Sequence, residues 1–373
     1  MKKIIISILS ILMMLTPVGS SYAATYSTKP NDEYFSLQKK QFDMVGVREV
    51  WAKNMYGKYK KNTPVVAVIG TGVTKHKDIG NILKGQGISS GKTSSRYSDI
   101  DYQGTSVAGI IAAKNNNKMG ISGLMPDVAI YPIKIFSVGD YGEISSSQSL
   151  LASAIYMAVS KGVDVINLSL ETMLKSKIVE NAIKYANEKN IIVVASCGDS
   201  GKDVKRYPAA YDNVVSVSAI TDSLDRLSFS NYNSTVDVTA PGSNIPCTVP
   251  EGSIGENLIS VGYSLNSGTA YSTAYVSALA AMYKAIKPKG NYNGFMKLLK
   301  KTSLDLGKSG KDPEFGYGLI DFSNMYSALV GKSSCKHKYG KWRTIVNATA
   351  SHDGLKKRTC TKCLFTQNMC VLK

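Results

Sequence analysis

Between Lys61 and Ala240 the chain alternates short, unbroken apolar runs with stretches whose apolar residues recur at helical spacing. The runs are VVAVI (Val65 to Ile69), AIYPIKIF (Ala129 to Phe136), VDVINLSL (Val163 to Leu170), IIVVAS (Ile191 to Ser196) and VVSVSAI (Val214 to Ile220). Apolar without strict alternation, they predict strands covered on both faces. Ser147 to Lys161 (SQSLLASAIYMAVSK) and Ser176 to Asn190 (SKIVENAIKYANEKN) predict the helices that cover them. Strands and helices in alternation predict an α/β fold, a doubly wound and mostly parallel sheet with helices on both faces. In such a sheet functional groups collect on loops at the carboxyl ends of strands, and Gly70 opens the first of these loops.

The pattern departs from this rhythm at both ends. Two lysines precede a mostly apolar run from Ile4 to Leu15 and a polar segment ending in small residues. This is the layout of an export signal, with cleavage expected after Ala23. Twelve residues fall short of the roughly 20 needed to span a bilayer, and no later run is long enough, so the expectation is an exported chain without a transmembrane span. Near residue 331 lysines, serines and cysteines replace the apolar pattern. The expected organisation is a signal peptide over 1–23, an α/β domain over 24–330 and a basic, Cys/His-rich tail over 331–373.

Charge sharpens the picture of the tail. Of a net +18, the segment 331–373 carries +9, from ten Lys or Arg against Asp353 alone. Such a tail suits an anionic cell-wall polymer or lipid headgroups, or serves solubility only. Export and sparse aromatics (Tyr339, Trp342, Phe365) argue against nucleic acid. The predicted location is therefore secreted or associated with the cell surface or wall. The tail also reads Cys335-x-His337, a spacer of 22, Cys360-x-x-Cys363 and then Cys370. One short pair plus one Cys-x-x-Cys is the arithmetic of a four-ligand zinc site, although export equally favours disulfides, and both readings stand.

Four segments carry the candidate chemistry. VAVIGTGV (Val66 to Val73), QGTSVAG (Gln103 to Gly109), ASCGDSG (Ala195 to Gly201) and GTAYSTAYVSA (from Gly268) together resemble the aspartate, histidine, oxyanion and serine motifs of the subtilisin-like serine endopeptidases, the subtilases. The resemblance runs in order through NNKMGISGLMPD, DVINLSL, YPAAYDNVVSVSAI, FSNYNSTVDVTAPG and FGYGLID, covering roughly 290 residues. It implies a subtilisin-like fold. The residues at the reacting positions differ: Gly70 stands for the aspartate, Gln103 for the histidine, Ala270 for the serine and Asp199 for the oxyanion asparagine.

A serine hydroxyl attacks only when a histidine takes its proton, a carboxylate orients that histidine and donors receive the oxyanion. Ala270 has no attacking atom, Gln103 cannot shuttle a proton, Gly70 has no side chain, and an ionised Asp199 puts negative charge where negative charge must form. In subtilisin itself, by measurements on that enzyme, loss of the catalytic unit costs about 2 × 10⁶ in turnover and loss of the oxyanion donor about 10² to 10³. Of the three histidines only His76 lies in the core, so the sequence offers no replacement base. Cys197, beside the oxyanion turn, reads as a buried small hydrophobe. Only 41 residues (Ala24 to Pro64) lie between the expected cleavage point and the first strand, too few for the inhibitory pro-domain of active subtilases.

The resemblance also implies a peptide groove, with an extended ligand adding as a strand between Ser169, Leu170 and Glu171 on one side and Ser196 and Gly198 on the other. Glu171 takes a glycine position, and it either selects a basic peptide or obstructs the groove. A calcium site is implied too, with Asn117 and Asp78 as oxygen ligands. The expectation is thus an exported pseudoprotease that binds a peptide, partner protein or signal ligand. The alternatives are a weak or unconventional serine endopeptidase, and a wall-associated module acting through its tail.

Overall fold

A computed structural model describes residues 27–52, 63–89, 92–253, 257–331, 335–362 and 365–371. The expected export signal and Cys363 lie outside the described residues.

The strands are β1 (Val65–Gly70), β2 (Gln86–Ser89), β3 (Lys92–Ser94), β4 (Ala129–Lys134), β5 (Ser137–Val138), β6 (Ile144–Ser145), β7 (Val165–Leu168), β8 (Ile192–Ser196), β9 (Val214–Ile220), β10 (Val238–Pro241), β11 (Ile245–Thr248), β12 (Leu258–Ser260), β13 (Tyr263–Asn266), β14 (Arg343–Val346), β15 (Gly354–Thr359) and β16 (Thr366–Val371). Eight of them form one sheet in the order β10-β9-β8-β7-β1-β4-β2-β3, parallel except for the edge pair β2–β3. The helices are α1 (Phe35–Val45), α2 (Val47–Trp51), α3 (Gln103–Ala112), α4 (Gln148–Lys161), α5 (Lys177–Glu188), α6 (Thr269–Ile286), α7 (Tyr292–Thr302) and α8 (Phe322–Val330). Among the described residues no helix is long and apolar enough to cross a membrane.

The unbroken apolar runs are explained by the two sides of this sheet. Val66 and Val68 of β1 belong to one buried cluster, with α1, α3, α6 and α8, whereas Ala67 and Ile69 belong to the other, with α4 and α5. Side chains alternate faces along a strand, and here both faces are dry. The helix ends follow local chemistry. Ser147 caps α4 by accepting the Leu150 N–H at 3.2 Å, and Gly162 closes it in the left-handed conformation. Helix α6 is buried along nearly its whole length, from Thr269 to Ala285, with apolar, aromatic and small side chains on every side.

The tail forms a three-stranded antiparallel sheet, β14-β15-β16, seated against the body. Its anchor is an ion pair between Lys357 Nζ and Asp321 Oδ2 at 2.9 Å, with both side chains 1% exposed. Asp321 also caps α8 through the Asn324 N–H at 2.9 Å and accepts from Asn368 Nδ2 at 3.0 Å. Nearby, Ser323 Oγ donates to Thr366 Oγ1 at 2.7 Å and Arg343 pairs with Glu49 at 2.9 Å. Burial pushes the Glu49 carboxyl up, and Lys357 and Arg343 draw it back.

Leaving a buried charge without its partner costs about 3 to 5 kcal/mol, more than the intact pair contributes. Lys357→Ala is therefore expected to destabilise the docked tail by about that amount, read as early cleavage in 335–371 under limited proteolysis. The double variant Lys357→Met/Asp321→Asn should recover most of the loss. Equal protease resistance of Lys357→Ala and the wild type would refute this account of the anchor.

Candidate functional site

The four positions singled out in the sequence all lie at the carboxyl edge of the sheet. Gly70 ends β1. Just beyond it Thr71 draws in the start of α3, its Oγ1 accepting the Gly104 N–H at 3.2 Å and its carbonyl accepting the Ile100 N–H at 3.3 Å. Gln103 is the first residue of α3. Asp99 does the capping work there, accepting from the Thr105 backbone at 2.7 Å and the Thr105 hydroxyl at 2.6 Å. Ala270 is the second residue of α6, and Asp199 lies on the loop after β8.

The scaffold around these positions is held by hydrogen bonds that do not involve the missing groups. Ser169 Oγ donates to the Ala270 carbonyl at 3.1 Å and to Asn167 Oδ1 at 2.9 Å, and Asn167 Nδ2 reaches Ser277 Oγ at 3.0 Å. This buried clamp ties the end of β7 to α6. Gly70 is not forced by crowding, because a Cβ placed there meets nothing within 4 Å. Space for a side chain is open at that position, and none fills it.

Among the described residues, His76, Ser272 and Thr273 are each engaged elsewhere. His76 is buried, its Nδ1 accepts the Asp78 N–H at 3.2 Å, and its ring stands edge-on to Tyr263 at 5.1 Å. Burial lowers its basicity further. The other two histidines, His337 and His352, belong to the tail. Ser272 Oγ is committed to the carbonyls of Ala240 and Pro241 at 3.0 and 3.1 Å, and Thr273 Oγ1 to the Thr269 carbonyl at 2.7 Å.

Asp199 turns the anion-receiving corner into a self-contained contact. Its Oδ1 accepts the Thr269 N–H at 2.9 Å, at the positive end of α6. Gly268 is required at this approach, since its φ is 152° and a Cβ there would stand 3.2 Å from Asp199 Oδ2. Desolvation by the cleft walls pushes the Asp199 carboxyl up to about 6 against the pull of the Thr269 N–H. The residue as a whole stays exposed, so solvent screens this shift and no stability follows from it.

The groove edges are both present. Ser169, Leu170 and Glu171 follow β7, while Ser196 ends β8 and Gly198 follows it, with Ser196 Oγ reaching the Leu170 carbonyl at 3.5 Å. Glu171 decides the state of the groove. Its carboxylate lies so close over Gly198, whose φ is 100°, that a Cβ there would be 1.8 Å from Glu171 Oε2. It pairs with Arg206 Nε at 3.3 Å and accepts the Asp199 N–H at 3.5 Å. The Glu171 carboxylate is thus paired within the chain, with Arg206.

Arg206 and Asn231 were not singled out in the sequence. Asn231 Oδ1 collects the Ser200 N–H, the Ser200 hydroxyl and the Lys202 N–H at 3.1, 2.7 and 3.2 Å, and its Nδ2 donates to the Cys197 carbonyl at 3.0 Å. It shapes the loop that carries Asp199. Nothing in the local pattern of either residue signals a partner about 30 residues away.

The candidate calcium ligands meet, but as a donor and an acceptor. Asn117 Nδ2 donates to Asp78 Oδ1 at 2.7 Å, and Asn117 Oδ1 accepts the Met119 N–H at 3.0 Å. Asp78 Oδ2 accepts the Ile121 N–H at 3.0 Å and the Tyr263 hydroxyl at 3.3 Å. Burial pushes this carboxyl up to about 6. The oxygens that calcium would need are filled by protein donors, so this arrangement fits a hydrogen-bonded loop better than a hard-cation site. In the tail, by contrast, the sulfurs of Cys335 and Cys360 and a ring nitrogen of His337 converge, all within 4.8 Å of one another.

The parallel sheet, its helices on both faces and the cleft at its carboxyl edge define a subtilisin-like α/β protein. The family model described as "Subtilase family" matches residues 61–318, and the chain belongs to that family. It is 34% identical over 297 residues to the minor extracellular protease Epr of Bacillus subtilis (strain 168), covering 79% of this chain and 42% of Epr. It thus spans less than half of that relative. Against subtilisin BL of Lederbergia lenta it is 34% identical over 256 residues, 69% of this chain and 88% of that one. Among solved structures, one described as proteases from Pseudoalteromonas arctica PAMC 21717 matches with a TM-score of 0.70 and 25% identity, over 80% of this chain and 99% of that one.

Cys197 is the remaining nucleophile in the cleft wall. It is 1% exposed, with Sγ 3.2 Å from the Asn231 carbonyl, and burial pushes its thiol up to about 12. At pH 8 only about one molecule in 10⁴ would carry the thiolate. The folded protein should therefore leave Cys197 unmodified by iodoacetamide at pH 8, with modification appearing only on denaturation, as read by peptide mass spectrometry. Prompt native labelling at this position would contradict the assignment.

Proposed function

We propose that this chain is an exported subtilase-fold binding protein, a pseudoprotease whose cleft engages a peptide or protein segment without hydrolysing it. The observation that carries the reading is the pairing of Ala270 at the head of α6 with a cleft to which none of the three histidines contributes. The intact clamp from Asn167 through Ser169 to Ala270 supports it, because the shell is maintained where the reacting groups are absent. Backbone pairing along Ser169 to Glu171 and Ser196 to Gly198 needs no triad. Export agrees with the extracellular relative and with the amino-terminal pattern.

The rival reading, an unconventional endopeptidase, predicts a reactive oxygen. Incubation with a fluorophosphonate probe should leave the wild type unlabelled. The variant Gly70→Asp/Gln103→His/Ala270→Ser/Asp199→Asn should become labelled and cleave a denatured protein substrate about 10²-fold or more faster than the wild type. Heat-sensitive labelling of any serine in the wild type would overturn the proposal.

In this reading a ligand enters only when Glu171 swings off Gly198. Replacing it removes a partly exposed ion pair, worth up to about 1 kcal/mol, together with a steric block. Glu171→Gly is expected to bind a fluorescent tetrapeptide with uncharged side chains at least about fivefold more tightly than the wild type, measured by fluorescence anisotropy. Equal affinities would remove the groove from the account.

A further inference from the structure

We propose that Cys335, His337 and Cys360 hold a structural zinc ion that fastens the far end of the tail sheet. A tetrahedral centre with bonds of about 2.3 Å to sulfur sets two thiolates about 3.8 Å apart, whereas a disulfide requires about 2.05 Å. Cys335 Sγ and Cys360 Sγ stand 4.0 Å apart, and the His337 ligand atom is within 4.8 Å of both. Two thiolates and an imidazole form a soft donor set that selects zinc over calcium or magnesium.

The surroundings are those of a held site rather than of cysteines that happen to be close. The Lys362 N–H points at Cys360 Sγ at 3.4 Å, a contact that favours the thiolate. The two segments are stitched together beside the cluster: Gly340 N–H to the Thr359 carbonyl at 3.0 Å, Thr361 N–H to the Lys338 carbonyl at 2.8 Å, and Cys360 N–H to the Phe365 carbonyl at 2.9 Å. The His337 ring has Tyr339 and Phe365 as aromatic neighbours, with centroids 5.3 and 5.2 Å away. The basic tail lowers the cost of forming two thiolates.

The tail also needs a fastening at this end. Val346 and Leu355 are its buried aliphatic side chains among the described residues, and both pack on the body's core. Cys360 is five residues beyond Leu355, about 16 Å along an extended chain, and is itself fully buried. A sheet this small commonly depends on a metal or a crosslink. Cys363, the second cysteine of the Cys-x-x-Cys run, lies outside the described residues.

The test uses the full chain purified without chelator. Elemental analysis should find one zinc per chain, and cobalt(II) substituted for it should show thiolate charge-transfer and tetrahedral d–d bands. Cys335→Ser, His337→Ala and Cys360→Ser should each weaken binding by more than about tenfold, while Cys370→Ser, whose sulfur faces Asp353 instead, should leave it unchanged. Removing zinc from the wild type should speed proteolysis within 335–371 and readdition should reverse it, a readout that does not depend on any variant folding. Sub-stoichiometric zinc, retention of zinc by Cys360→Ser, or recovery of a Cys335–Cys360 disulfide peptide from unreduced protein would each overturn the proposal.

Discussion

Burial of the helix Thr269–Ile286 is the constraint on which the rest of the structure depends. A helix enclosed on all sides needs a close fit and a fixed axial position, and its position is set by contact with β7, β8, β9 and β10 and with α3. That position brings the head of the helix to the carboxyl edge of the sheet, beside the ends of β1 and β8. The cleft therefore persists as a by-product of core packing. At Gly70, the end of β1, the space beside the backbone is open.

The charges in the cleft form a closed set. Asp199 answers the positive end of α6, Glu171 answers Arg206, and the Asp199 N–H turns back to Glu171. Receiving an oxyanion requires such a corner to stay open and rich in donors. Here the Asp199 carboxylate accepts the Thr269 N–H, and the Glu171 carboxylate lies over Gly198. The two residues meet at the loop Cys197–Gly201: Asp199 is part of it, Glu171 accepts its N–H, and Asn231 holds its shape from a neighbouring segment.

The tail shows the opposite economy of interactions. With little apolar surface to bury, it is attached by polar contacts that only work when fully paired, above all Lys357 with Asp321. A buried ion pair fixes one arrangement more sharply than apolar contact does, because any other placement leaves a charge without a partner.

The sequence by itself determined the sheet and which residue types stand at the reacting positions. Long apolar runs such as Val214–Ile220 are strands from end to end because both faces of the sheet are dry, and the helix over 148–161 begins one residue after its serine cap. Residue type was legible directly, and Ala270 carries no hydroxyl whatever surrounds it. Shorter elements were not legible: β2, β3 and β11–β13 have three or four residues each, too few for a period to register. Only the tertiary structure decided that Glu171 pairs with Arg206 over Gly198, that Asp78 and Asn117 hydrogen-bond one another, and that Cys335, His337 and Cys360 converge. Each of these depends on a partner remote in the chain, such as Arg206, Ile121 or Tyr263, and local pattern carries no information about which distant side chain the fold will bring within hydrogen-bonding reach.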